Sequence, residues 1–298
     1  ENLILKIEGQ DGSDLPPMIL EEVGDEDGIA NFVDANYAGT EKSKDCVLIL
    51  AEGLSAMSGI VSGLKSDDRN YIGIYPLKGK VLNVRDVTEK KIYENEEINN
   101  MKKILGLQHN VKYKDVSSLR YGKIMLLTDA DNDGIHISGL VMNFFHTWWP
   151  ELLEIPGFLV NMKTPIIKTS RGKDVIEFYS EKDYHEWKNT VDPKKWNIKY
   201  YKGLGTSTAS EAKDIFKKID KNKVDYVSTS EKDTNNAMLL AFEKKKADDR
   251  KVWIQKNKPE DILDFTKKEV SYDDFINKSL VQFSLSDILR SIPSIYDG

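Results

Sequence analysis

A single cysteine, Cys46, stands in 298 residues, so no intrachain disulfide can form and the chain suits a reducing compartment. Long apolar runs are missing as well. CVLILA at 46–51 falls far short of the roughly 20 residues that cross a bilayer, and no membrane partner is expected. The opening Glu1-Asn2-Leu3-Ile4 has neither an initiator Met nor a cationic stretch leading into an apolar one, so it does not read as a secretion signal. An excess of basic residues is the third absence. With 43 Lys and Arg against 49 Asp and Glu, the net charge is -6, which excludes a uniformly basic nucleic-acid module. A local site remains open, because one lysine-lined face and a carboxylate cluster filled by divalent cations can invert the field where it matters.

What is present is enough apolar material, 40% of residues, for a core of more than one domain. Residues 1–44 are rich in Asp, Glu and Gly, with DGSD and GDEDG reading as turns or linker, so the compact core is placed after them. CVLILA is a short branched run suited to a strand buried on both faces, followed by Glu52-Gly53 and a small-residue helix over 55–64. YIGIYPL at 71–77 reads as another strand, and residues 88–105 carry Ile92, Ile98, Met101 and Leu105 at helical spacing. KIMLLT at 123–128 repeats the first unit: a buried strand, the acidic run Asp129-Ala-Asp131-Asn-Asp133-Gly134, then helical periodicity to Trp149. Further on, Thr208-x-x-Glu211 is a capping box. Residues 233–253 read as one longer helix whose middle, EKKKADDRK, is a solvated face. Strands alternating with helices imply an α/β fold with a mostly parallel sheet covered on both sides. In such sheets ligands sit beyond the carboxyl ends of the strands, where Glu52 and the acidic run both fall.

Asp129, Asp131 and Asp133 cannot all ionise at close range without a compensating charge. A hard divalent cation supplies one; all-oxygen ligation suits Mg²⁺ or Mn²⁺, with Glu52 closing the site from the neighbouring strand. Three other readings compete. An EF-hand loop needs a bidentate Glu where Leu140 stands, and no helix precedes the run, so calcium binding of that type is rejected. A dehalogenase-type phosphatase would use the first Asp as nucleophile, but expects Thr or Val where Asp133 stands. An ordinary solvated acidic turn is the plain alternative. His136 reads as a packing or helix-start residue, since hard oxygen sites seldom recruit imidazole.

Several strings in order decide among these. EGLSA from Glu52, PLKGKVLNVR from Pro76, LRYG from Leu119, DADNDG from Asp129, YKGLGT from Tyr201, KKADDR from Lys245 and the closing RSIPSIYDG together resemble the Toprim region of eukaryotic-type type IIA DNA topoisomerases. The resemblance runs from about Asp34 to the end, less closely over 261–289. It departs where Leu54 replaces the Asp of EGDSA and Lys78 the Arg of PLRGK, which removes a carboxylate beside the site and a planar donor fork.

The resemblance implies a Toprim fold, a Rossmann-like mostly parallel sheet with helices on both faces and a flanking α+β extension. It divides the chain into a 1–44 extension, a 45–165 metal-binding core, a 166–260 part with an insert, and a 261–298 connector into a winged-helix domain. The implied activity is cleavage and religation of double-stranded DNA by an ATP-hydrolysing homodimer. Its attacking tyrosine lies in the winged-helix domain, so this stretch is expected to be an excised fragment, inactive alone. Glu52, Asp129 and Asp131 would hold one Mg²⁺, for which Mn²⁺ or Ca²⁺ can substitute, and Asp133 would hold or orient a second. Glu52, Asp129 and Asp131 form the catalytic set. Lys78, Lys80, Asn83, Arg85 and Lys202 would contact the DNA backbone; for each, plain surface charge is the alternative. ATP would bind elsewhere in the whole enzyme. An intracellular location is implied, nuclear for a cellular eukaryote. A different Toprim nuclease or primase, a dehalogenase-type phosphatase, and a non-catalytic Mg²⁺-binding scaffold are the remaining alternatives.

Overall fold

The computed structural model describes residues 28–201, 211, 214, 217–257, 263 and 267–291. Its main sheet has six strands in the order β2 (Ile72–Leu77), β1 (Val47–Glu52), β3 (Lys123–Leu127), β4 (Leu159–Met162), β8 (Lys223–Val227) and β9 (Glu269–Ser271). The first four run parallel; β8 pairs with β4 in the antiparallel sense and with β9 in the parallel one. A smaller antiparallel sheet is made of β5 (Ile167–Arg171) flanked by β6 (Asp174–Phe178) and β7 (Asn197–Tyr200).

The two apolar runs become β1 and β3 because alternate residues find cover on opposite faces. Leu48, Leu50, Ile124 and Leu126 pack with α3 (Glu96–Leu105) and α4 (Asn132–Trp148). Ile49, Ala51, Met125 and Leu127 pack with Ala56, Met57 and Ile60 of α1 (Gly53–Gly63). All eight are buried, and each large one contributes on the order of 2 kcal/mol by leaving water. Parallel strands, whose crossovers put helices on both sides, need this two-faced apolar character.

Three expectations change. The helix read over 88–105 is two, Glu89–Glu94 (α2) and α3, because the Asn95 side chain accepts from Ile98 N–H and caps the second, which outweighs continued periodicity. The helix read over 233–253 also divides, into α6 (Glu231–Phe242) and α7 (Ala247–Lys256), after α5 (Glu181–Lys188). Glu243 is extended there, and Arg250 donates to the carbonyls of Leu240 and Glu243. The core also begins earlier than residue 45. Ile29, Phe32 and Ala35 are buried, Val33 bridges Ile74, and Asp34 takes the Arg120 guanidinium and the Tyr121 hydroxyl. The Thr208 capping box and the closing string from Ile292 onward lie outside the described residues. The last described helix is α8 (Val281–Ser291).

Candidate functional site

β1 and β3 are adjacent and in register, Ala51 opposite Leu127, so Glu52 and the acidic run leave the sheet at the same edge. Two glycines make the turns. Gly53, at φ +81°, reverses β1 into α1 in a conformation that costs other residues strain. Gly134 lets the start of α4 approach the acidic run so closely that an added Cβ would lie 2.1 Å from the Asp129 carbonyl oxygen. Glu52 Oε2 accepts from the Asp129 N–H at 2.9 Å, which fixes the carboxylate towards the run. Asp131 caps α4, its Oδ1 accepting from the Gly134 N–H at 2.9 Å, and the helix dipole favours negative charge there.

Burial, and then the charges of Asp129, Asp131 and Asp133, push the Glu52 carboxyl above the usual carboxylate range, against the Asp129 N–H that holds it down. A cation would relieve this repulsion. The donors are all oxygen, and Asp133 Oδ1 is buried without a hydrogen bond, so the residues fit a hard divalent ion. Among the described residues no three carboxylate, His or Cys side chains already stand at ligating spacing.

The structure brings Lys80 to this edge, its Nζ 3.1 Å from Asp133 Oδ1. Lys78 turns instead to α3, where Glu96 takes its ammonium at 3.0 Å and Glu97 its backbone N–H at 2.7 Å. Asn83 and Arg85 face inward. Asn83 Oδ1 accepts from the Arg85 N–H and from Asn143 Nδ2, while its own amide donates to the Phe242 carbonyl. The Arg85 Nε donates to Asn143 Oδ1 at 2.7 Å and its Nη2 meets His146 Nδ1. Lys202 lies outside the described residues. His136 packs as expected, its ring stacked on Phe283 at 4.1 Å; burial and the Lys80 ammonium push it down to about 4. Leu54 is 55% exposed beside the edge.

The sequence reading missed Asn143 and His146, which anchor the 78–85 loop; two polar side chains three apart in the apolar α4 were the available signal. It also missed a cavity of about 670 Å³ that opens beside the acidic run, lined by Asp129, Asp131, Asn161, Lys163, Tyr179 and Tyr201 among others. Among the described residues, no helix is long and apolar enough to cross a membrane.

Known proteins share this fold. The Toprim domain model matches residues 47–162, and that of the C-terminal associated domain of TOPRIM matches 162–288. DNA topoisomerase 2 of Arabidopsis thaliana is 49% identical over 269 residues, covering 89% of this chain and 18% of that protein. DNA topoisomerase 2 of Saccharomyces cerevisiae is 49% identical over 269 residues, with 89% and 19% covered. DNA topoisomerase 2-beta of Gallus gallus is 49% identical over 287 residues, with 91% and 18% covered. The crystal structure of the Plasmodium falciparum topoisomerase II DNA-binding, cleavage and re-ligation domain superposes with a TM-score of 0.86 at 43% identity, covering 90% of this chain and 37% of that one. This chain thus spans 18% to 19% of the length of these curated relatives. With its Toprim domain, the associated C-terminal domain and this degree of identity, the chain belongs to the Toprim region of the eukaryotic-type type IIA DNA topoisomerases.

Proposed function

We propose that the Glu52 and Asp129–Asp133 edge is the metal-holding half of a DNA cleavage and rejoining centre in a type II DNA topoisomerase. The observation that carries this is the bond from Asp129 N–H to Glu52 Oε2 at 2.9 Å, which joins two acidic stretches at the ends of adjacent parallel strands. Glu52, Asp129 and Asp131 would hold one Mg²⁺, and Asp133 a second; Mn²⁺ or Ca²⁺ can substitute. Held there, such an ion would supply positive charge to a phosphate under attack. The attacking group is a tyrosine of another domain, so this chain alone is expected not to cut DNA. Strand passage, ATP hydrolysis and homodimer formation belong to the whole enzyme, and its location is intracellular.

Either Glu52 or, equally, a water beside it would relay a proton to a departing 3′ oxygen. Lys78 and Lys80 carry the exposed positive charge of the loop and would meet phosphates without regard to sequence. Lys202 would add a further contact. Asn83 and Arg85, committed to Asn143, His146 and Phe242, would serve the DNA contact by holding the loop in place.

Calorimetric titration of Mg²⁺ and Mn²⁺ into the wild type and into Asp129→Ala/Asp131→Ala tests the reading. Binding in the wild type that disappears in the double variant is expected. Equal binding in both would end it.

A further inference from the structure

The proposed cation site has a competitor within the chain. Lys80 Nζ stands 3.1 Å from Asp133 Oδ1, with both side chains 46% exposed. That oxygen is itself closed off from solvent and accepts no hydrogen bond, so the ammonium holds it by charge alone, without a directed N–H bond. The ammonium also lies over the Phe283 ring, 5.4 Å from its centre, and near His136. The loop that carries Lys80 is pinned from behind, by Asn83 on the Phe242 carbonyl and by Asp86 Oδ2 on the Lys244 N–H at 2.7 Å. A flexible four-carbon stem on a fixed backbone can leave its partner without moving the loop.

We propose that Lys80 is an exchangeable counter-cation: it neutralises Asp133 until a divalent ion takes that carboxylate, and is thereby released to a nucleic-acid phosphate. The inference rests on the divalent-ion reading above and assigns the role of Lys80 within it. One carboxylate oxygen cannot serve an ammonium and a divalent ion together, because the two cations would repel at a few ångströms. Ion uptake and release of Lys80 are therefore linked, and the linkage is reciprocal: a phosphate that draws Lys80 away strengthens ion binding. The pair is half exposed, so the competition is modest, up to about fivefold in affinity.

The test is a calorimetric titration of Mn²⁺ into the wild type, Lys80→Met and Lys90→Met. Lys90 is 81% exposed on α2 and faces Glu94, so its loss changes the net charge equally but away from Asp133. Lys80→Met, which keeps an apolar stem for Phe283, is expected to bind Mn²⁺ about three- to fivefold tighter than either of the other two. In an Asp133→Asn background the same substitution should gain nothing. A short DNA duplex should tighten Mn²⁺ binding in the wild type and leave Lys80→Met unchanged. Lys80→Met binding no tighter than Lys90→Met, an equal gain without Asp133, or an equal duplex effect in both proteins overturns the proposal. A wild type that takes up no Mn²⁺ refutes the divalent-ion reading itself, a result distinct from bound Mn²⁺ that ignores Lys80.

Discussion

Acid should loosen the loop that carries Lys78 and Lys80, and His146 is the group through which it acts. Arginine has no acceptor, so the contact between Arg85 Nη2 and His146 Nδ1 requires a lone pair on Nδ1 and a neutral ring. Burial first, and then the Arg85 guanidinium, push this imidazole from its ordinary 6.5 down to about 4. The unfolded chain gains a proton near 6.5 and the folded one only near 4. Between these values the unfolded state binds one proton more, so stability is complete above 6.5 and falls as the pH drops towards 4. The slope is about 1.4 kcal/mol per pH unit at its steepest, and the window of 6.5 minus 4 makes about 3 kcal/mol in all. His146 is 8% exposed, so solvent screens little of this. The carboxylates of Glu243 and Asp86 face Arg85 and temper the charge it presents to the ring. Urea unfolding between pH about 7 and about 5 would be compared for the wild type and His146→Asn, whose Oδ1 keeps an acceptor at the place of Nδ1. His136 titrates in both proteins and cancels in the difference. The wild type should lose stability relative to the variant as the pH falls; parallel profiles would show that His146 does not need its lone pair.

Two further outcomes separate the roles within the site. Gly134→Ala places a Cβ 2.1 Å from the rigid Asp129 carbonyl, so thermal unfolding should show a loss of about 1–3 kcal/mol and calorimetry a weaker Mn²⁺ site; an unchanged midpoint with unchanged ion binding would show that the close approach is dispensable. Lys78→Met should flatten the plot of log DNA affinity against log salt by about 0.9 for the phosphate contact it removes, whereas Arg85→Met should lower stability with no change of slope, because its guanidinium is already committed inside the chain. A slope change at Arg85 as large as at Lys78 would return Arg85 to the surface that meets DNA.

The acidic edge was legible because its signals are local. CVLILA and KIMLLT are buried on both faces and each ends in a carboxylate, so strand periodicity alone places Glu52 and Asp129 at strand ends. The helix breaks were not, because a periodic apolar pattern continues across Asn95 and Glu243 while the deciding contacts are a side-chain cap and an arginine reaching back to two carbonyls. EKKKADDRK shows both cases at once. Lys246 and Lys251 pair with Asp249 and Asp248 on the solvent side as a charged face should, but Arg250 in their midst is tied to the end of α6.

The roles of Lys80 and Arg85 depend on contacts that no spacing announces. A basic residue in a loop looks the same in sequence whether it meets a phosphate, a carboxylate or a buried imidazole, and His146 lies 61 residues from Arg85. What decides is strand order. Because β2 lies beside β1 and β1 beside β3, the loop after β2 emerges next to the acidic edge and passes between α4 and the end of α6. One face of that loop then reaches Asp133 through Lys80, and the other is fastened through Asn83 and Arg85. The same β2-β1-β3 order that joins Glu52 to Asp129 therefore also delivers the lysine that competes for Asp133, so a register shift between β1 and β3 would disturb both together.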